Sequence, residues 1–514
     1  MHHFDSDSSS DQSSYDGRPW YATMTRYHWF VLVVAALGWL FDCLDQQLFI
    51  LARPQAMGEL LSYLKGLPDY DPKTFSQLTQ KWGDISTSVF IAGWATGGLF
   101  FGMLGDRIGR AKTMMITILM YSACTGLSAL ATSVYDFAFY RFLTGLGVGG
   151  EFAVGVALVA EVMPARARPQ ALSLLQALSA FGNISAALIN WQLGLMEGEG
   201  LPTSPWRIMF LIGALPALLA FVVRKSLKEP ETWQKATQDG QQVRSRGSYS
   251  ELFADPRWRR HAICGLVLAC SGVIGLWSVG FYSPDLIRLV QTKPVTAAAY
   301  QTAIEQAKSA SDDSQVAILQ EIQEFKKTAE KGAELPEHLR EVNGKIEKVI
   351  KQELTKYQSL VSIALNIGAF CGMFGFGALS QRIGRKPTFV IGLLAAFFST
   401  VTVFFMLQEL WQIFVLVPIM GFCQLSLFGG YAIYFPELFP TRLRSTGTSF
   451  CYNVGRFIAA FGPLVKMFLN ETFFKNYPEP DNLRYAGISM CFVFLVGLFV
   501  LPFLPETRGE PLPE

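Results

Sequence analysis

A chain of 514 residues that is 51% hydrophobic and only 16% charged is too apolar for a water-soluble fold of that size. Its mean hydropathy of +0.28 points to a protein that crosses a lipid bilayer many times. A formal net charge of +2 excludes a strongly basic surface for nucleic acid, and the eight cysteines sit inside apolar stretches without metal-ligand or disulfide spacing.

Residues 1–27 open with Asp5, Asp7 and Asp11 among serines and read as a disordered tail, with no basic start or cleavage site of a signal peptide. Twelve apolar runs follow, at 29–51, 83–104, 112–131, 137–161, 168–193, 206–223, 261–290, 357–380, 387–407, 411–435, 445–469 and 485–504. Each is about long enough to cross the ~30 Å hydrocarbon slab as a helix. Small-residue segments such as Ala92–Gly98 suit the close helix packing that lipid requires.

Basic residues collect on one side. Arg107, Arg110 and Lys112 follow the second run, Arg166 and Arg168 the fourth, Arg224, Lys225 and Lys228 the sixth, Arg382, Arg385 and Lys386 the eighth, and Arg442 and Arg444 the tenth. The positive-inside rule then places both termini in the cytoplasm, with the chain in a plasma (inner) membrane.

The second half repeats the first. Gly102–Arg110 returns as Gly377–Arg385, an offset of 275, and Glu161 with Arg168 returns as Glu437 with Arg444, an offset of 276. Pro230-Glu-Thr232 returns as Pro505-Glu-Thr507, again at 275. Parallel repeats of this kind enclose a substrate site between the halves near mid-membrane. The expected organisation is a tail at 1–27, a first six-helix bundle at 28–226, a cytoplasmic linker at 227–259, a second bundle at 260–505 and a tail at 506–514. An extracytoplasmic insertion at 291–356 breaks the symmetry; it reads as amphipathic helix over Ala298–Ala329 and Glu337–Tyr357 with Pro336 as a break.

Ionisable residues inside the apolar runs carry the functional signal. Asp42 and Asp45 lie three residues apart on one face of the first run, where a single acid costs ~3 kcal/mol on insertion scales. Asp45 is roughly 9 Å from the outer end of its run and Arg141 roughly 6 Å from the outer start of the fourth, so the two can meet. Glu151 lies deeper on the fourth run. Arg456 sits near mid-depth in the eleventh run with no acid of the second half at its level, and a guanidinium fork there suits a carboxylate substrate or, alternatively, Asp42 across the cavity. Asn366, Gln424, Tyr431, Asn183 and Gln176 are mid-span polar residues that could orient a ligand, and Trp277 could stack on it.

These features resemble the major facilitator superfamily, and within it the broad sugar-porter-like group that includes aromatic-acid, sialate and monocarboxylate proton symporters. The resemblance is carried by the loop Gly102–Arg110, by Arg141-Phe-Leu-Thr-Gly-Leu-Gly-Val-Gly-Gly-Glu151, by the paired Glu-x6-Arg elements and by the Pro-Glu-Thr boxes. Asp42-Cys-Leu-Asp45 is similar to the paired-acid box of organic-acid symporters, with Cys43 where glycine is usual, and Gln381 stands where the first half has Asp106. The resemblance implies an all-α membrane protein of twelve transmembrane helices in two parallel six-helix bundles. It implies a protonation switch at Asp45 and Arg141, with Asp42 and Glu151 as further proton-handling acids. It also implies a cytoplasmic latch of Asp106, Arg107, Arg110, Glu161, Arg168, Arg382, Arg385, Glu437 and Arg444. The expected function is proton-coupled symport of a small organic anion by alternating access. A sugar transporter is the alternative, and a receptor-like homologue that no longer moves solute stands behind both. No nucleotide loop, metal set or nucleophile–base pair suggests an enzyme or a cofactor; the expected partners are a small-molecule substrate, protons and the bilayer, with no nucleic acid.

Overall fold

The computed structural model describes residues 19–513 apart from 67–70, 197–202, 231–232, 235–246, 280–282, 329–334, 460, 463–464, 466–467 and 479. The described secondary structure is helical throughout. The first half contains α1 (Arg26–Leu60), α2 (Pro72–Ile108), α3 (Arg110–Ser128), α4 (Val134–Val162), α5 (Arg168–Ala177), α6 (Ser179–Met196), α7 (Pro205–Ile212) and α8 (Ala217–Ser226). A short α9 (Tyr249–Ala254) leads to α10 (Pro256–Ser278), α11 (Ser283–Ser309), α12 (Asp313–Thr328), α13 (Glu337–Ile383), α14 (Arg385–Met406), α15 (Leu410–Leu438), α16 (Arg444–Ala459), α17 (Asp481–Cys491) and α18 (Val493–Val500). Among the described residues nine helical stretches are long and apolar enough to cross a membrane. Every one of the twelve apolar runs carries described helix, the fifth on α5 and α6, the sixth on α7 and α8 and the seventh on α10 and α11. The protein is an all-α integral membrane protein.

Local chemistry sets the helix ends. Thr25 caps α1 by accepting the His28 N–H at 3.3 Å, and Ser133 caps α4 by accepting the Asp136 N–H at 3.2 Å. Gly109 and Gly384, with φ of 112° and 101°, make the sharp turns from α2 to α3 and from α13 to α14. The bare Cα atoms of Gly97 and Gly372 let α2 and α13 press onto the carbonyls of Leu146 in α4 and Phe422 in α15. These two crossings share the repeat offset, so the two halves pack the same way.

α1–α8 pack mainly on one another, as do α10 and α13–α18. The two sets meet where α2 lies on α16 and where α5 and α6 lie on α13. Outward faces carry exposed Phe139, Leu218, Phe398, Phe405 and Phe499, as lipid contact demands.

Several expectations need correction. Residues 1–18 of the expected disordered tail lie outside the described residues, but its last part is ordered: Trp20–Thr23 forms a 3-10 turn, and the Trp20 and Trp29 rings lie 6.0 Å apart. The seventh run does not continue to Val290; α10 stops at Ser278, and α11 starts afresh with Pro284 in its first turn, where a missing N–H costs nothing. The insertion helix does not run unbroken through Ala298–Ala329. It ends at Ser309, Ser311 takes a φ of 55°, and the Asp312 N–H closes back on the Ala307 carbonyl at 3.0 Å. The Ser314 hydroxyl and the Gln315 N–H then hold the Asp312 carboxyl below its usual range. Ala329 lies outside the described residues.

Pro336 does begin the next helix, but that helix does not stop at Tyr357: α13 is a single 47-residue rod continuing into the bilayer. α11, α12 and the first part of α13 enclose a separate small core of Tyr300, Ala307, Leu319, Ile322, Leu339 and Ile346. The insertion is therefore a helical miniature domain joined rigidly to a membrane helix.

Candidate functional site

α1 presents Gly38, Asp42 and Asp45 toward α3 and α4 within two helical turns. Asp45 is fully buried; it accepts the Thr125 hydroxyl at 2.6 Å and faces Arg141 at 3.4 Å. Arg141 is also fully buried, donates to Ser128, Thr125 and Thr144, and lies 4.7 Å from the Phe210 ring centroid. Its charge is thus answered by one carboxylate, three hydroxyls and an aromatic face.

Lower on the same seam the polar groups are not answered. Asp42 is 1% exposed, and neither of its oxygens has a hydrogen-bond partner among the described residues. Tyr121 of α3 is fully buried beside it, and its hydroxyl likewise has none. Glu151 of α4 packs one oxygen against Gly38 and accepts the Thr117 hydroxyl on the other at 2.8 Å.

At the bundle interface Arg456 of α16 lies between two rings, 3.9 Å from the Trp94 centroid on α2 and 4.1 Å from that of Tyr452. It donates to the Asn453 side-chain oxygen at 2.7 Å, while its Nε has no partner and no carboxylate pairs with it among the described residues. The alternative of a bonded Asp42–Arg456 pair is not realised. Phe152 of α4 stacks on Tyr452 at 4.1 Å, so aromatic rings from both bundles close over the guanidinium.

The basic end is shut by contacts between the bundles. Asp106 of α2 accepts the Thr446 N–H at 2.8 Å, the Thr446 hydroxyl at 2.6 Å and the Ser445 N–H at 3.3 Å, so a first-half carboxylate caps second-half α16. Glu161 takes Arg110 and Arg444, each at 2.9 Å, and thus bridges the halves. In the second half Arg385 forks onto Glu437 at 2.9 and 3.1 Å within its own bundle. Gln381 pairs with Gln170 across the halves as neutral amides. Arg168 has a buried Nε without a partner, while Arg107 and Arg382 are exposed.

The expected ligand residues divide. Asn183 and Asn366 meet each other across the interface at 2.9 Å. Gln176 is buried on α5 with its side-chain oxygen unpartnered. Gln424 turns inward to Thr400 at 2.6 Å and Tyr431 to the Leu268 carbonyl at 2.8 Å, so both are tied inside the second bundle and not gathered around Arg456. The side chain of Trp277 lies outside the described residues.

The turns before α3 and α14 each lean on a glutamate near the Pro-Glu-Thr boxes. Glu506 receives the Arg385 and Lys386 N–H groups at the start of α14. In the first half Glu229 does this for Arg110, Ala111 and Lys112. Glu231, the aligned residue, lies outside the described residues. Thr117, Tyr121, Thr125, Trp94 and Tyr452 were missed in the sequence because hydroxyls and rings inside apolar helices look like packing; their spacing against Asp42, Asp45 and Arg456 was the available signal.

Comparison with known proteins places this geometry. The family described as "Sugar (and other) transporter" matches residues 55–307, and that described as "Major Facilitator Superfamily" matches residues 348–514. A putative metabolite transport protein of Haemophilus influenzae is 29% identical, over 95% of this chain and 98% of its own length. The sialic acid transporter NanX of Escherichia coli is 28% identical, over 75% of this chain and 77% of its own. Among solved structures, the proton:xylose symporter XylE superposes with a TM-score of 0.66 at 19% identity, covering 95% of this chain and 98% of that one.

Proposed function

Because this chain belongs to the major facilitator superfamily, whose members are membrane transporters rather than enzymes, we propose that it carries a small organic anion by alternating access, driven by protons. The basic end is then cytoplasmic and shut, both termini lie in the cytoplasm, and the membrane is the plasma (inner) membrane. The observation that carries the anion is Arg456. A guanidinium buried at the interface of the two bundles, held by rings and one amide and by no carboxylate among the described residues, suits an anion as its charge partner. The sialic acid transporter among the relatives supports an organic acid.

Coupling runs through Asp45 and Arg141. With the pair closed, the carboxylate is neutralised by the guanidinium; when the bundles rock and the pair separates, Asp45 takes a proton instead of facing the interior as an unpaired ion. Glu161, Arg444 and Asp106 hold the cytoplasmic side shut in this state and must release for the site to open inward. Asn183 and Asn366 form an amide clasp between the bundles.

A sugar substrate is the second reading, favoured by the family described as "Sugar (and other) transporter". Uptake into liposomes under an imposed pH gradient, run against carboxylates and sugars in parallel, separates the two. Carboxylate uptake that falls at least tenfold in Arg456→Ala supports the anion reading. Sugar uptake that survives the substitution replaces it.

A further inference from the structure

We propose that Arg257, Arg259 and Arg260, where α10 enters the membrane, form a docking site for the phosphate headgroup of an anionic phospholipid at the basic face of the bilayer. The inference is independent of what the carrier moves and of what drives it.

The case begins with the sequence. Pro256-Arg-Trp-Arg-Arg-His-Ala-Ile263 sets three arginines within four positions, just ahead of an apolar run. They do not serve the helix itself, because cations in a first turn oppose the helix dipole. Capping falls instead to Asp255, whose carboxylate accepts the Arg257 N–H at 2.8 Å. Nor are the arginines paired within the protein. Glu251, the other acid close by in the chain, is bonded to Arg442 at 2.6 Å. Among the described residues no carboxylate bonds to any of the three guanidinium groups.

Position supplies the second argument. All three arginines are exposed. Arg259 and Arg260 lie one turn before Ile263, on the same face of α10, and Ile263 is exposed as a lipid contact would be. α18 runs beside α10, with Phe494 packed over Gly275 and Gly497 over Ser271. Its own exposed stripe, Val496 and Phe499, continues to Phe503. Arg260 closes the corner between the two stripes, 5.9 Å from the Phe503 ring centroid. Arg257 rests on the buried Trp258 at 4.6 Å. Two apolar stripes that face outward therefore end together at one cluster of positive charge, which is the level of the headgroups.

The chemistry selects the ligand. A guanidinium fork matches two phosphate oxygens, and a headgroup without a cation of its own keeps its full attraction for the cluster. The acyl chains of the same molecule would lie along Ile263 and Phe503, whereas a soluble phosphate would meet the charges and leave both stripes unused. α10 is in turn fastened to the second bundle: the Cys451 thiol donates to the Ala262 carbonyl at 3.6 Å, and the His261 ring nitrogen lies 3.0 Å from the Leu438 carbonyl. A lipid held here anchors the edge of the second bundle to the bilayer at the point where the chain arrives from the first.

The test needs no substrate. The full-length protein in detergent is titrated with phosphatidylglycerol or with phosphatidylcholine, and bound lipid is counted by native mass spectrometry. Each arginine beside an anionic headgroup contributes roughly fivefold, so the double variant Arg259→Gln/Arg260→Gln should bind phosphatidylglycerol at least about tenfold more weakly than wild type. The double variant Lys112→Gln/Lys228→Gln, which removes the same charge from exposed sites at the same end, should bind it as wild type does. A monodisperse size-exclusion peak checks each fold; should the arginine pair fail that check, Arg260→Gln alone carries the readout with a loss of about fivefold. Equal binding of phosphatidylglycerol by wild type and the arginine variant overturns the proposal. So does an equal loss in the lysine variant, which would leave these charges a topological role only, or equal affinity of wild type for phosphatidylcholine. Displacement of the lipid by inorganic phosphate would assign the cluster to a soluble anion and likewise overturn it.

Discussion

Shifted by 275 or 276 residues, Thr117, Tyr121, Thr125, Arg141 and Glu151 of the first bundle fall on Gly392, Ala396, Thr400, Val417 and Leu427 of the second. The backbone relation is kept. Where Thr117 donates to Glu151, Gly392 packs against Leu427; where Thr125 holds Asp45, Thr400 holds Gln424. One seam is a column of ionisable groups; in the other, Gly392, Ala396, Val417 and Leu427 carry no polar side chain and Thr400 holds a neutral amide. The repeat supplies the fold twice, whereas the chemistry suited to ion coupling is built once. The second bundle's central charge, Arg456, instead reaches the interface, where a substrate would pass.

Exchanging the chemistry of the two seams gives the largest effect. Leu427→Glu puts an uncompensated acid into the dry seam, a cost of several kcal/mol, and should abolish the monodisperse size-exclusion peak. Glu151→Leu should keep that peak while losing coupling. If both variants fold equally well, the seams are not different environments.

Arg141→Ala comes next. It strands Asp45 and should destabilise by about 3 kcal/mol in a thermal-unfolding assay, while the added change Asp45→Asn should recover a large part of that loss. Val417→Ala, its counterpart, should show no such rescue by any single partner.

At the basic end, Asp106→Ala removes three hydrogen bonds into the start of α16, worth about 2 kcal/mol between states. The protein should reach the membrane in normal amount and transport several-fold more slowly; full activity would leave the arginines with a topological role alone. The smallest contrast sets Thr125→Val against Thr400→Val. Each should cost about 1 kcal/mol of stability, but only the first, which touches Asp45, should displace the pH dependence of uptake.

Much of the architecture was legible because its signals are periodic. Apolar runs, basic loops and the repeat offset marked twelve helical spans, and the Gly102–Arg110 loop with its partners Glu161 and Arg444 pointed to the latch. The Asp45–Arg141 pairing followed from matching depth together with the family resemblance. What stayed hidden depended on side-chain direction. Gln424 and Tyr431 sit at mid-span, yet they face inward to Thr400 and Leu268, and linear spacing does not say which face of an all-apolar helix meets the interface. The break at Ser311 and the unbroken length of α13 were likewise set by tertiary packing of the miniature domain, which overrode the local helix signals.

The most direct measurement of the coupling role assigned to the first bundle is accumulation of a transported carboxylate in liposomes with an imposed pH gradient, comparing wild type with Asp45→Asn. Wild type should concentrate the carboxylate against its gradient. Asp45→Asn should still exchange labelled for unlabelled carboxylate but accumulate none. Equal accumulation by the two proteins would contradict the assignment of proton coupling to the charged seam.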